Sequence, residues 1–187
     1  MKKIVLTFGL IAGAILSVMM MITLPFHDVI GFDWGMVVGY TTMVVAFLLV
    51  YFGVRQYRDT VGGGSIGFGR AFVVGALIAA VASVCYVATW EVIYFNFAPD
   101  FLTEYQAHAL EKARAGGATA QELAEKKAEM DKLAVMYQNP AINAAMTFME
   151  PLPVALIVAL VSAGVLSTRK KRRVGEGSVA AGAPASA

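Results

Sequence analysis

The sequence predicts an all-α membrane protein: a bundle of four transmembrane helices with both termini in the cytoplasm and a helical hairpin outside, between the third and fourth helices. The chain has 187 residues, of which 58% are hydrophobic and only 15% are charged, and its net charge is +2. A soluble domain carries about a quarter charged residues. Four stretches are apolar for about the 20 residues that a helix needs to cross a bilayer. No segment alternates polar and apolar residues, as a membrane-spanning β-barrel would require.

The predicted spans cover about residues 4–24, 36–54, 71–95 and 147–168, and together with their connections they form one membrane domain, residues 1–173. The first span follows Lys2 and Lys3, as in a signal peptide. However, its apolar run is too long for a signal peptide and ends in Leu-Pro-Phe rather than at a small-x-small cleavage site. We therefore expect this segment to be retained. The tail, residues 174–187, consists of Gly, Ala, Ser and Pro around one acid, and we predict that it is disordered.

Lysine and arginine residues predict the orientation. Cytoplasmic loops of membrane proteins carry an excess of these residues near the ends of the spans. Ten of the fifteen lie on one side of a four-span topology, and the short loop 25–35 on the other side has none. Both termini are therefore expected in the cytoplasm. The ten residues are Lys2, Lys3, Arg55, Arg58, Arg70, Arg169, Lys170, Lys171, Arg172 and Arg173.

The glycine-rich stretch GGGSIGFGR, residues 62–70, contains the G-x-G-x-x-G spacing of dinucleotide-binding loops. That loop works only between a strand and a helix of a soluble βαβ unit, whereas here a membrane span precedes it. We interpret the stretch as a turn between the second and third spans, since glycine accepts positive φ angles. Arg55, Arg58 and Arg70 flank this turn and are candidates to contact anionic lipid headgroups.

Residues 100–138 predict the outer helical hairpin. Phe101, Leu102 and Tyr105 begin an apolar stripe with helical spacing, and two glycines at 116–117 end this helix. Thr119 and Glu122 have the spacing of a capping box and start a second helix. The charges of the hairpin form either a solvated face or the binding surface for a protein partner, because the thin apolar stripe has to rest on something.

Small residues recur every fourth position in all four spans. Such stripes let helix backbones approach closely in a membrane. They fit both packing within one bundle and the formation of a homo-oligomer, and the sequence does not separate the two. The stripes are Gly9/Gly13/Ser17, Gly35/Gly39, Gly75/Ala79/Ser83 and Ala155/Ala159/Ala163.

Two acids lie at the outer ends of predicted spans. Counting about 1.5 Å per residue from the cytoplasmic ends places Glu91 and Glu150 at one depth near the outer interface, with His27 at a similar level. Asn143 and Thr147 share a helix face with Glu150, and Pro151 after it predicts a kink or a new helix start. One hypothesis is that Glu91, Glu150 and His27 bind a cation or relay protons, because ionisable groups in a span are costly. The alternative is that they are solvated interfacial side chains.

The sequence contains no pattern of residues that is typical of a catalytic site. The single cysteine, Cys85, excludes an intramolecular disulfide and a thiolate pair, and no two histidines have metal-ligand spacing. We therefore expect no catalytic residue, no metal, no cofactor and no nucleic-acid partner.

The segments GLIAGAIL (residues 9–16), GGGSIGFGRAFVVGALIA (residues 62–79) and STRKKRR (residues 167–173) resemble a family of bacterial membrane proteins, domain of unknown function 4199. The resemblance implies four spans in a bacterial cytoplasmic membrane, and it transfers no catalytic residue. We predict a small, non-enzymatic integral membrane protein, accessory to a partner or associated with the envelope. The alternative is a small oligomeric transporter or channel that uses the outer carboxylate pair.

Overall fold

The computed structural model describes residues 1–167, and within them every side chain except those of His27 and Asp28. The described chain is entirely helical, without a strand. The predicted basic run 168–173 and the tail 174–187 lie outside the described residues. A short 3-10 turn, Leu24–Phe26, separates the first two helices. The helices are α1 (Lys2–Thr23), α2 (His27–Ile30), α3 (Phe32–Thr60), α4 (Phe68–Asn96), α5 (Phe101–Ala115), α6 (Ala120–Tyr137), α7 (Pro140–Met149) and α8 (Leu152–Leu166).

Three helices, α1, α3 and α4, are each long and apolar enough to cross a membrane. A fourth candidate span is formed by α7 and α8 together, with a bend of 40° between them. The described part of the chain therefore holds three or four candidate spans, and the all-helical prediction is confirmed. The fourth stretch differs from the expected helix because it starts at Pro140 and is interrupted after Met149. The kink predicted at Pro151 lies at this interruption.

The centre of the fold is α4, which packs against α1, α3, α7 and α8. Two glycines of α1 allow its close approach to α4. A Cβ atom added at Gly9 would lie 2.6 Å from Cβ of Val81, and one added at Gly13 would lie 2.6 Å from Cβ of Cys85. Both distances are shorter than atoms tolerate, so only glycine fits at these positions without a shift of α1 or α4. The first small-residue stripe is thus used within the chain.

The glycine stripe of α3 behaves differently. An added Cβ atom would meet nothing within 4 Å at Gly35 or Gly39. The close approach on α3 is made by Gly53, where an added Cβ atom would lie 2.5 Å from Cδ1 of Ile78. The stripe Gly35/Gly39 therefore has no packing role between the described helices. Gly53, which does pack closely, is not part of a small-residue stripe, because Leu49 precedes it by four residues.

The glycine-rich stretch forms the connection between α3 and α4. Gly63 and Gly64 have φ angles of 61° and 83°, values that side chains other than glycine adopt rarely. The side chain of Ile66 is buried against the helices and anchors the connection. The interpretation of this stretch as a turn is confirmed.

The hairpin between α4 and α7 consists of α5 and α6, as predicted. Gly117 has a φ angle of 87° and lets the chain reverse after α5. Both halves of the predicted capping box are formed at the start of α6: the Thr119 side chain accepts from the Glu122 amide, and the Glu122 carboxylate accepts from the Thr119 amide. At the other end, the Asn139 side chain accepts from the first amides of α7.

The apolar side of α5 packs against the start of α3 and the end of α4. The ring of Phe32, at the start of α3, lies 5.7 Å from the ring of Phe101 and 5.6 Å from that of Tyr105. Phe101 also lies edge-on to Trp90 of α4, at 5.0 Å between ring centres. In addition, Nζ of Lys112 donates to Oδ1 of Asp33 at 2.6 Å. These contacts fix the hairpin over the ends of α3 and α4.

Candidate functional site

The three arginines proposed as headgroup contacts lie at the last turns of α3 and the first turn of α4. The guanidinium of Arg58 lies 2.7 Å from Oδ1 of Asp59, and Nε of Arg55 lies 3.8 Å from Oδ2 of the same carboxylate. Asp59, which the sequence analysis did not single out, therefore offsets part of the positive charge of both. Arg70 is exposed. The structure brings Arg55 and Arg58 together through Asp59, and this end of the fold remains basic.

The carboxyl group of Glu91 lies on α4. Its Oε1 atom is buried and has no hydrogen-bond partner among the described residues. A dry carboxyl oxygen is costly when the group is ionised, because water is lost without replacement. One carboxyl oxygen of Glu91 is therefore shielded within the protein, while the residue as a whole is only partly buried.

Glu150 caps the end of α7, immediately before the break with α8. Its Oε2 atom accepts a hydrogen bond of 2.7 Å from the hydroxyl group of Tyr86 on α4. In the described part of the chain this carboxyl group forms no ion pair. The remainder of the side chain is exposed at the surface of the fold. Tyr86 was not identified in the sequence, because a single tyrosine in an apolar run carries no pattern of its own.

Glu91 and Glu150, which one hypothesis placed in a cluster with His27, are not hydrogen-bonded to each other. Tyr86 precedes Glu91 by five residues, which is about 7.5 Å along the helix. Glu150 is thus bonded to a residue that precedes Glu91 on α4 by about one and a half turns. The side chain of His27 is outside the described residues. Across residues 1–167 no group of three or more His, Cys, Asp or Glu residues could hold a metal ion.

A chain of buried polar side chains links α6 to α7. Asn143 and Thr147 are 0% and 1% exposed, so two of the three residues of the predicted polar face point inward. The Thr147 hydroxyl donates to Oδ1 of Asn143 at 3.2 Å, and Nδ2 of Asn143 donates to the backbone oxygen of Tyr137 at 3.3 Å. Oγ1 of Thr147 also lies 3.0 Å from the hydroxyl oxygen of Tyr137. Burial raises the pKa of Tyr137, so its hydroxyl group stays neutral in this chain.

An apolar groove of about 490 Å³ opens between the end of α1 and α4. Thr89 is the one residue with a polar side chain in its lining, and the hydroxyl of Thr89 is hydrogen-bonded to Ser17 at 2.7 Å. The groove therefore offers apolar surface and no free polar group that would orient a ligand. Its lining residues are Met21, Leu24, Pro25, Ala88, Thr89, Val92, Ile93 and Phe97.

These features define an all-helical protein whose apolar helices are compatible with a place in a membrane. Its buried polar side chains Asn143 and Thr147 lie on α7, and Glu150 follows them at the break before α8. The chain belongs to the family described as "Protein of unknown function (DUF4199)", whose model matches residues 7–168. The resemblance inferred from the sequence is confirmed. No curated protein matches the chain, and no solved structure does.

Proposed function

We propose that the chain is a four-span integral protein of the bacterial cytoplasmic membrane, with both termini in the cytoplasm and the α5–α6 hairpin outside. The packing of α4 against α1, α3, α7 and α8 supports four antiparallel spans in one bundle. The orientation is supported by the basic residues at the α3–α4 connection, because positive charge favours the cytoplasmic side. The bacterial membrane is what the family resemblance implies.

We further propose a non-enzymatic role, accessory to a protein partner or associated with the envelope. The observation that carries this proposal is the docking of α5 on the ends of α3 and α4 by Phe32 and by the Lys112–Asp33 pair. The apolar stripe is thereby used within the chain, and the hairpin is held rigidly. A rigid surface loses little conformational freedom when it binds a partner.

The surface offered by this hairpin is the outward face of α6. Glu125, Glu129, Lys132 and Met136 follow one another at helical spacing, and all four are exposed. None of them contributes to the contact with α5, which uses Lys127 and Asp131 through Gln106. The outward face of α6 is therefore free to meet a partner through polar contacts, with Met136 as an apolar neighbour at its end.

The test is cross-linking in native membranes, followed by purification and mass spectrometry. The wild-type protein should be recovered with one other protein in near-equal amount. The double variant Glu125→Lys/Glu129→Lys should lose that protein, whereas Glu111→Lys, a change at an exposed acid of α5, should retain it. Recovery of self-cross-linked chains alone, or of the same partner with the double variant, would overturn the proposal.

A further inference from the structure

The break between α7 and α8 leaves backbone groups without helical partners. Pro151 and Pro153 have no amide hydrogen, so the carbonyl oxygens of Thr147 and Met149 lose the donors that a continuous helix would supply. The Glu150 amide bonds to the Thr147 oxygen at 3.3 Å, which leaves the Met149 oxygen without a helical donor. The C-terminus of α7 and the N-terminus of α8 therefore meet at Glu150, where the opposite ends of the two helix dipoles offset each other.

The depth of Glu150 follows from its bond to Tyr86, and it rests on the four-span arrangement proposed above. Tyr86 lies 16 residues after Arg70, about 24 Å along α4, and Glu91 lies 21 residues after it, about 32 Å. The hydrocarbon core is about 30 Å thick. If Arg70 marks the cytoplasmic boundary, Glu91 reaches the outer boundary, while Glu150 lies within the hydrocarbon.

In the part of the chain that the structure describes, no basic side chain forms an ion pair with Glu150. The titratable side chains that face it are Tyr86 on α4 and Tyr137 on α6, and Tyr40 of α3 interacts with Tyr86. None of these three can carry a positive charge. An unpaired carboxylate at this depth is costly. A proton on the carboxyl group removes the charge, and the hydrogen bond from Tyr86 can remain.

We propose that Glu150 is a reversible proton-binding site at the break of the fourth span, and that Tyr86 is the positioning residue that holds its carboxyl group. Tyr86 lies about 6 Å inside the outer boundary, so the proton on Glu150 exchanges with water at that boundary. Glu91 takes no part, because its carboxyl group lies about one and a half turns away along α4.

The test is labelling with N,N′-dicyclohexylcarbodiimide, which reacts with protonated carboxyl groups in apolar surroundings. The full-length protein in its native membranes is treated at several pH values, and the modified peptide is identified by mass spectrometry. We expect an adduct on Glu150 that decreases as the pH rises. The adduct should be lost in Glu150→Gln and retained in Glu91→Gln. Absence of the adduct, labelling of Glu91 alone, or labelling that is independent of pH would overturn the proposal.

Two further measurements sharpen the assignment. Excess Na⁺ should not protect Glu150 from the carbodiimide, and protection would show that the site binds sodium instead of a proton. In Tyr86→Phe, labelling should persist to a pH about one unit higher, because the lost hydrogen bond stabilises the ionised carboxylate most. An unchanged pH dependence of labelling would show that Tyr86 does not position the carboxyl group of Glu150. None of these readouts depends on a protein partner, so they can succeed where the cross-linking experiment fails.

Discussion

The hydroxyl oxygen of Tyr137 lies 3.0 Å from Oγ1 of Thr147, and the hydrogen bond between them is buried. Tyr137 ends α6, and Thr147 lies two turns into α7, so this bond ties the α5–α6 hairpin to the bent pair α7 and α8. The ring of Tyr137 also lies 5.3 Å from that of Tyr94 on α4. A movement of the hairpin therefore has to displace groups that lie one turn from Glu150.

Tyr137→Phe should destabilise the fold by about 1–2 kcal/mol, because Thr147 loses a buried partner while the aromatic packing is kept. Thermal unfolding in detergent measures the loss. Tyr105→Phe is the matched control, since the Tyr105 hydroxyl has no hydrogen-bond partner in the described part of the chain. Equal melting temperatures for the two variants would show that the buried hydrogen bond contributes nothing.

Gly13→Ala should destabilise the contact between α1 and α4 by about 1–3 kcal/mol, because the added methyl group overlaps Cβ of Cys85. Gly39→Ala adds the same methyl group to open space. It should leave stability unchanged or raise it by up to about 1 kcal/mol, since alanine is the better helix former. The same melting experiment compares the two, and a similar loss in both would contradict the packing described for α1.

Asp33→Asn should loosen the hairpin, because Lys112 loses the carboxylate to which it donates. Both side chains are more than half exposed, so amide hydrogen exchange in α5 should increase only about two- to five-fold. The exchanged pair Asp33→Lys/Lys112→Asp should restore slow exchange. If the exchanged double variant does not restore slow exchange, the aromatic contacts alone hold α5 in place.

Amides at the start of α6 should lose protection from hydrogen exchange at acidic pH. The amide of Thr119, and then its hydroxyl group, hold the pKa of the Glu122 carboxyl below its usual value of 4.5. A group with a lowered pKa stabilises the fold above its unfolded pKa, and this contribution is lost as the pH falls through the folded value. The protection factors of amides in the first turn of α6, which compare their exchange with that of an unfolded chain at the same pH, should therefore fall below about pH 4.5. Glu122→Gln keeps a capping residue but cannot titrate, and should abolish this pH dependence.

The proposed topology predicts which loops a reagent can reach. In a Cys85→Ser background, Ala118→Cys should react with an impermeant thiol reagent in intact cells. Ser65→Cys, in the α3–α4 connection, should react only after the cells are opened. The reverse pattern would place the hairpin in the cytoplasm. It would also change the depth assigned to Glu150, so this measurement separates an error of topology from an error about the proton site.

Most helix ends could be predicted because their signals are local. The glycines at 63, 64 and 117, the capping box at Thr119 and the prolines around Glu150 act through backbone groups within four residues of themselves. Hydropathy likewise reports on each segment separately. Each predicted segment is helical in the described chain, although α3 is longer than the span 36–54 and the fourth stretch starts at Pro140 and is interrupted after Met149.

Contacts between helices could not be predicted in the same way. One residue turns the facing direction by about 100° and moves it about 1.5 Å along the axis, so counting from the ends of two spans leaves their relative height and rotation open. Gly35 and Gly39 had the right spacing for packing but face open space, whereas Gly53 packs without it. For the same reason, counting residues left open whether Glu91 and Glu150 meet.

The sequence by itself determined that this is an all-helical chain of long apolar segments with a capped hairpin and a family membership, because composition and local signals suffice for these. Only the tertiary structure decided that Glu150 meets Tyr86 rather than Glu91, and that Asn143 and Thr147 turn inward to Tyr137. These contacts join residues 64 and 10 positions apart. They depend on how α4, α6 and α7 pack together, which no local signal encodes.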